Sequence, residues 1–442
     1  MSFMVALGGL AVLLLAGFAL QARIRVLGRL LLPASVIGGF IGLLGGPYVF
    51  NVVPTDVVSL WSGLPGVLIN FVFAGLFLGV RVPNVSVLVR LGGPLFRFGA
   101  VTSLGQYVVA FVLAMVVLTP VFGVPDLFAC VLEVGFAGGH GTAAAMAGVF
   151  SDLGFEAGGA LGQMSATVGI VVGVVTGMAL IQWGVRRGFT TQIGAEALEG
   201  AALSEQLASV IPADRRAPIG RATVRASILD PLTYHLAVVA LGILLGWVAL
   251  QGVRALHPSL SGFPLFPLAM LGGMLLQFLA DRTGVAGTFD RGTFQRITGL
   301  ALDLLVVAAI ASLRLDLFLE SVVPFTLLMI AGIAWTLFTF VWLAPRMLET
   351  HWFEQGIVMY GTQTGVTAVG LMLLHIVDPD NETPAAQAFA ARAIVGSPLF
   401  GGGLVTATIP LLVQANGVLP VLGGSTALAL LMVFWPRRRV RT

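Results

Sequence analysis

The chain has 442 residues, of which 57% are hydrophobic and only 10% are charged. Soluble domains carry about 25% charged residues, so this composition excludes an ordinary soluble fold and predicts an all-α polytopic membrane protein. The net charge of +3 comes entirely from arginine, because the chain contains no lysine, and it does not indicate a nucleic-acid-binding function.

Apolar stretches of about 20 residues, long enough to cross a bilayer, recur along the chain. The first has no basic residue before it and no small-residue cleavage site, so we expect a retained span and not a removed signal peptide. A span at 418–436 has no counterpart in the first half. The predicted spans lie at 3–20, 30–50, 61–80, 98–119 and 158–184 in the first half, and at 233–252, 264–281, 297–314, 322–344 and 386–413 in the second.

Each half also contains one apolar segment that glycines interrupt, at 126–150 and at 354–376. We therefore predict two repeats of five transmembrane helices plus one re-entrant hairpin each, with an additional C-terminal transmembrane helix. The domain boundaries are a first repeat at 1–184, a cytoplasmic linker at 185–232 with a surface helix near 194–210, a second repeat at 233–413, and a final helix with a basic tail at 414–442.

The arginines indicate how the chain is oriented. Five full crossings per half is an odd number, so the second repeat is inverted if each hairpin enters and leaves on one side. With the N-terminus outside, 20 of the 23 arginines fall on the cytoplasmic side, and Arg254, Arg314 and Arg392 do not. This asymmetry sets orientation in membranes. It predicts a multi-pass protein of the cytoplasmic (inner) membrane whose C-terminus is cytoplasmic, with the first hairpin entering from outside and the second from inside.

The first interrupted segment reads Gly-Phe-Ala-Gly-Gly-His-Gly-Thr over Gly135–Thr142. Each glycine costs about 1 kcal/mol relative to alanine inside a helix, so the chain is expected to unwind here. Unwound backbone at membrane depth survives where it lines a polar cavity, and broken helices hold substrates and ions in secondary transporters. The candidate substrate-binding residues are Gly138, Gly139, His140, Gly141 and Thr142.

The second interrupted segment, Gly361–Gly370, has the same ingredients, and its candidate residues are Gly361, Thr362, Gln363, Thr364 and Gly365. Two loops that enter from opposite sides meet near the midplane. Exposed N–H groups at half-helix N-termini suit a carboxylate, whereas carbonyl and hydroxyl oxygens, including that of Thr367, suit Na⁺. The alternative is that the glycines serve only close helix packing.

Ionisable residues inside spans are costly unless they are paired or hydrated, so each is a functional candidate. Arg392 can bind a substrate carboxylate in two-point contact or extend to the inner interface. Asp303 can bind Na⁺ or pair with an arginine. Glu133 can bind a cation, carry a proton or face extracellular water. His140 can donate to a carboxylate or hold the shape of its loop.

The stretch from Gly138 to Thr142, followed by an alanine-rich half-helix, resembles the signature of the bacterial sodium:glutamate symporter family, which is related to the 2-hydroxycarboxylate transporters. The segment Ala166–Gly173, which includes Thr167 as a candidate cation ligand, and the segment Pro33–Gly39 resemble other spans of that family. The resemblance is to a divergent member, because Gly361–Gly365 stands where glutamate carriers have Gly-His-Cys-Gly. The resemblance implies inverted repeats, a homodimer and Na⁺-driven uptake of an acidic amino acid.

The function predicted from these observations is Na⁺-coupled symport of glutamate, or of a related acidic amino acid or dicarboxylate, by alternating access. Na⁺ is the coupling ion and no other cofactor is expected. Carriers of a different organic anion, coupled to H⁺ or Na⁺, remain an alternative, and a channel is a further one. A Walker-type ATPase is excluded because its phosphate loop needs a lysine. No nucleophile with its base and no metalloprotease spacing is present, so an enzyme is not expected.

Overall fold

The computed structural model describes residues 2–24, 32–80, 88–191, 218–256, 262–379 and 382–435, with single residues 27, 86, 216 and 260 between them. Throughout these ranges the regular structure is helical. The predicted surface helix at 194–210 lies outside the described residues. The main helices are α1 Ser2–Arg23, α2 Ala34–Gly45, α3 Thr55–Gly75, α4 Leu88–Phe122, α5 Val131–Phe136, α6 Gly139–Asp152, α7 Gly158–Arg186, α8 Pro231–Leu256, α9 Phe266–Thr283, α10 Arg291–Ala311, α11 Val322–Met347, α12 Trp352–Val377, α13 Ala385–Gly396, α14 Leu404–Asn416 and α15 Val418–Phe434.

Eight of the helices that the structure describes are long and apolar enough to cross a membrane, namely α1, α3, α4, α7, α8, α10, α11 and α12. Three more, α2, α14 and α15, are apolar but shorter. A bilayer core about 30 Å thick needs about 20 helical residues. The protein is therefore a multi-pass membrane protein, as its composition predicted.

The span expected at 386–413 is not one helix. Its two parts, α13 and α14, are separated by residues 397–403, which we name the third break. Gly401 and Gly402 there have φ values of +66° and +100°, a conformation that residues with a side chain rarely adopt. Pro398 removes a further backbone donor. The expectation of a continuous span was wrong because hydropathy alone does not detect this turn.

The helices pack as two bundles. In the first bundle α1, α2, α3, α8, α9 and α10 pack against one another, and in the second α4 to α7 pack with α11 to α15. Each half of the chain thus gives its first three helices to one bundle and the rest to the other. The bundles meet chiefly where α6 lies against α3 and α10.

The first interrupted segment folds back on itself, and we name residues 126–152 the first hairpin. Its two ends lie together beside the start of α7, since the Phe155 ring is 6.1 Å from that of Phe128 and 5.6 Å from that of Phe150. Further along, Gly162 of α7 faces both Val134 and Ala143. The two arms of the hairpin therefore run side by side along α7.

The second interrupted segment, α12, is also folded back and is named the second hairpin. Gly361 and Gly370 of its two arms are in contact, and Phe353 near its start packs against Gly184, close to the end of α7. The two hairpins therefore approach from opposite ends of α7. They meet beside Gly169, where a Cβ atom would lie 2.2 Å from the Thr364 carbonyl oxygen and 3.1 Å from the Phe136 ring.

The described end of the linker is attached to the first bundle through Asp290, which caps α10. Its carboxylate accepts hydrogen bonds from the Thr293 amide at 2.8 Å and the Arg221 amide at 3.0 Å. Partial burial opposes ionisation, but these hydrogen bonds outweigh it and lower the pKa of Asp290. The linker and the cap thus stabilise each other.

We expect Gly169→Ala to destabilise the protein, because the new methyl group collides with backbone that cannot move without displacing the hairpin. Overpacking of this kind costs about 1–3 kcal/mol. Gly148→Ala on α6, where no atom lies within 4 Å of the added Cβ, is the matched control. The measurement is the thermal unfolding midpoint in detergent, and equal midpoints for the two variants would contradict the packing described.

Candidate functional site

The turns of the two hairpins, which we name the tips, each contain a residue with positive φ. The first tip lies between Phe136 and Gly139, and Gly139 has a φ of +71°. At the second tip Val366 has φ +66° and ψ 171°, a region that is almost restricted to glycine and costs about 1–3 kcal/mol. A β-branched residue remains there only because its surroundings fix it.

The two tips touch each other. A Cβ atom on Gly139 would lie 2.3 Å from Cγ1 of Val366. The absence of a side chain at Gly139 therefore leaves the space that the Val366 side chain fills. The unwound backbone of both segments is thereby brought to a single place beside the middle of α7. Broken helices that meet in this way are typical of substrate and ion sites in transporters.

Each tip has one carbonyl group that accepts a hydrogen bond from a buried glutamine amide. Gln163 of α7 donates through Nε2 to the His140 carbonyl at 3.0 Å, and Gln106 of α4 donates to the Gln363 carbonyl at 2.7 Å. Backbone groups that helices leave unpaired in a membrane must be satisfied internally. The Oε1 atoms of both glutamines are buried and have no partner among the described residues.

His140 is fixed by a short chain of hydrogen bonds. The Thr167 hydroxyl donates to the Gln163 carbonyl at 3.1 Å and lies 3.0 Å from His140 Nε2. When the single hydroxyl proton of Thr167 is on the Gln163 carbonyl, the imidazole is the donor to Thr167 and Nε2 carries the proton. Both His140 and Thr167 therefore hold the shape of the first tip, and the Thr167 oxygen is already engaged twice.

Glu133 lies in the first arm of the first hairpin and is completely buried. Its carboxylate accepts four hydrogen bonds, from Tyr107 at 2.7 Å, Ser103 at 2.9 Å, the Gly401 amide at 3.1 Å and Thr406 at 3.2 Å. These donors come from α4, the third break and α14. No cation lies within ion-pair distance of it in the part of the chain that the structure describes, so neutral donors alone hold the carboxylate and join three elements around the site.

The third break lies directly on the first tip. A Cβ atom on Gly402 would be 2.4 Å from the Thr142 hydroxyl oxygen and 2.6 Å from the ring of Phe73, which belongs to the first bundle. A Cβ atom on Gly401 would be 2.9 Å from the Ala137 carbonyl oxygen. The site is therefore built from three interrupted segments, of which sequence analysis predicted two.

Arg392 on α13 is buried, with only 5% of its surface exposed. Its guanidinium group packs against Gly99 of α4 and Gly396 of its own helix, where the lack of side chains makes room for it. Its Nε atom has no hydrogen-bond partner, and no carboxylate of the described residues forms an ion pair with it. A buried cation without an anion is costly, so this group is suited to an anionic ligand.

The other predicted site residues are distributed as follows. Thr362 donates to the Val358 carbonyl of its own arm at 2.7 Å. Thr367 is exposed just beyond the second tip. Asp303 is an exposed residue of α10, and its neighbour Leu302 contacts Gly141. The tips, Arg392 and Glu133 are thus brought together in the second bundle, whereas Asp303 lies in the first.

Sequence reasoning missed the residues that support the tips. Ser103, Gln106 and Tyr107 of α4 repeat at spacings of three and four, which places them on one face of a helix. Gln163 and Thr406 complete the set. The available signal was this row of polar residues inside apolar spans. Among the described residues there is no group of three or more His, Cys, Asp or Glu side chains that could hold a metal ion.

Comparison with known proteins gives one family. The family model described as sodium/glutamate symporter matches residues 2–361. Among solved structures, the chain resembles the sodium proton antiporter MjNhaP1 from Methanocaldococcus jannaschii at pH 8, with 16% identity, a TM-score of 0.37, and coverage of 98% of this chain and 100% of that one. That likeness is too weak to support an inference. No curated protein matches the chain.

We expect Glu133→Leu to lower the thermal unfolding midpoint strongly, because four buried donors lose their acceptor at about 1–3 kcal/mol each. Glu133→Gln, which retains one acceptor oxygen, should be milder. Asp316→Asn, at an exposed surface acid, is the control. A Glu133→Leu variant as stable as that control would show that the carboxylate does not join the three elements.

Proposed function

The chain belongs to the sodium/glutamate symporter family, and from this premise we propose that it carries glutamate, or a related acidic amino acid or dicarboxylate, into the cell together with Na⁺. A Na⁺-coupled transporter is what the family implies. The observation that supports an anionic substrate most directly is Arg392, a buried cation that forms no ion pair with any acidic side chain of the described residues.

A carboxylate of the substrate binds Arg392 in this proposal. Arg392 packs against Gly99, and the Gln363 side chain of the second tip donates towards the Gly99 carbonyl at 3.5 Å. The guanidinium group is therefore next to the second tip. A guanidinium offers two parallel donors to a carboxylate, and a charge-assisted pair is strong in a site that excludes water.

Na⁺ is proposed to bind at the side of the first tip. Gln163 Oε1 and Ser165 Oγ of α7 are buried oxygen atoms without hydrogen-bond partners in the described residues, and a Cβ atom on Gly135 of the first hairpin would contact Ser165 Oγ. Na⁺ is a hard cation that prefers oxygen ligands. Glu133 lies close by, and its carboxylate repels an anionic substrate. Bound Na⁺ offsets this repulsion, so substrate binding depends on Na⁺ and the two are transported together.

Transport is proposed to proceed by movement of one bundle relative to the other. Where they meet at the site, Gly141 of α6 faces the apolar side chains of Leu302 and Ile69. Contacts of this kind contain no hydrogen bonds that must break when helices slide. The motion exposes the tips first to one side of the membrane and then to the other.

The orientation also belongs to the proposal. The arginine distribution supports an inner-membrane protein with the N-terminus outside, the first hairpin opening outward and the second inward. A homodimer is implied by the family resemblance, and H⁺ in place of Na⁺ is the alternative coupling ion, for which Glu133 is the candidate carrier.

We expect purified protein in proteoliposomes to accumulate labelled glutamate when an inward Na⁺ gradient is imposed, and not when a pH gradient is imposed alone. Arg392→Gln should reduce uptake at least about a hundredfold, because the pair with the carboxylate is lost. Arg392→Lys should retain part of it, since the charge remains but the two-point geometry does not.

Arg314→Gln is the matched control, because that arginine is exposed and pairs with Asp316 at the surface. Uptake that responds only to a pH gradient would show that H⁺, and not Na⁺, is the coupling ion. Full uptake by Arg392→Gln would show that the substrate carboxylate does not bind this arginine.

A further inference from the structure

One face of α4 lines the second tip. Gly99, Ser103 and Gln106 are separated by four and three residues, so they lie in a row along the helix. Gly99 contacts Arg392, Ser103 donates to Glu133, and Gln106 donates to the Gln363 carbonyl. The distance from Gly99 to Gln106 along the helix axis is about 10 Å, at 1.5 Å per residue.

Gln106 is completely buried and uses only half of its side chain. Its Nε2 group donates to the second tip at 2.7 Å, but its Oε1 atom has no partner among the described residues. The hydrogen bond from Nε2 to the Gln363 carbonyl explains why this position has an amide donor. It does not explain why the Oε1 atom of the same side chain is buried without a donor.

Two more unpaired polar atoms belong to other segments that lie against this face of α4, and we name Arg392, Gln363 and Gln106 together the Arg392 row. Gln363 is 1% exposed, its Nε2 makes a long hydrogen bond of 3.5 Å to the Gly99 carbonyl, and its Oε1 atom has no partner in the part of the chain that the structure describes. Arg392 Nε, beside Gly99, is the third. Contacts therefore connect Arg392, Gln363 and Gln106 in that order.

The unpaired groups differ in hydrogen-bonding character. The Arg392 guanidinium is a cationic donor, whereas the Oε1 atoms of Gln363 and Gln106 can only accept. Each unsatisfied buried polar group carries a desolvation penalty, so three of them in one row indicate a ligand that pairs with all three. That ligand has both an anionic group and a hydrogen-bond donor.

We infer that Gln106 is a specificity-determining residue, which together with Gln363 accepts hydrogen bonds from an ammonium or hydroxyl group of the substrate while Arg392 binds its carboxylate. This inference rests on the proposed function. It selects acids that carry a donor group over plain dicarboxylates of the same length.

Equilibrium binding of L-glutamate, 2-hydroxyglutarate and glutarate to purified protein in saturating Na⁺ tests this. The three acids share length and carboxylates but differ in the donor. We expect the intact protein to bind glutamate at least about tenfold more tightly than glutarate, because a buried acceptor left unpaired penalises the ligand that lacks the donor. In Gln106→Met this ratio should fall towards one, because the lost support of the tip weakens binding of all three acids alike, whereas the lost acceptor weakens binding only of the acids that carry a donor.

Gln163→Met is the matched control. Gln163 makes the same kind of hydrogen bond to the first tip and also has an unpaired Oε1, but it lies on α7 against the first hairpin, away from the Arg392 row. It should change the Na⁺ concentration required for binding and preserve the glutamate-to-glutarate ratio.

Three results would overturn the inference. The first is an unchanged ratio in Gln106→Met. The second is an equal loss of affinity for all three acids, which assigns Gln106 to the support of the tip alone. The third is a raised Na⁺ requirement with the ratio preserved, which assigns its oxygen to the cation. If none of the acids binds the intact protein with or without Na⁺, the proposed function fails, and that outcome is distinct from these three.

Discussion

The structure depends on the need to satisfy backbone groups that broken helices leave unpaired inside a membrane. An unsatisfied N–H or C=O costs several kcal/mol in hydrocarbon, so a chain interrupted there must supply partners from elsewhere. Gln163 does so for the first tip and Gln106 for the second. Glu133 does so for the third break through the Gly401 amide. Each support belongs to a neighbouring helix, so none of the three breaks is stable by itself.

This dependence explains why the second bundle is rich in buried polar side chains while the bundles meet through apolar ones. The polar groups fix the tips relative to α4 and α7, which makes the hairpins and their supports one unit. Gly141 of the second bundle faces the apolar side chains of Leu302 and Ile69 of the first bundle, and these side chains form no hydrogen bonds. The second bundle therefore meets the first at an apolar boundary, and the strained backbone of Val366 is tolerated because its surroundings fix it.

Several elements were readable from the sequence because their causes are local. Glycine disfavours helix wherever it stands, so the interruptions at Gly135–Thr142 and Gly361–Gly370 followed from composition, and the structure places both turns there. The third break was missed although Pro398 and Gly401 to Gly403 signal it, because the apolar residues on both sides read as one span. The boundary between α2 and α3 also differed from the hydropathy pattern, since α3 begins at Thr55, directly after Pro54.

The sequence by itself determined the membrane class, two of the three broken segments and the family, since lipid solubility, glycine conformation and a short motif are properties of neighbouring residues. Only the tertiary structure decided which polar atoms remain unpaired. Arg392, Gln363 and Gln106 lie on three separate segments. Water would satisfy each side chain if it were exposed, and only burial in the folded structure leaves its polar atoms unpaired. Pairing is a property of the whole fold, because a buried donor can find its acceptor hundreds of residues away, as Gln106 finds Gln363.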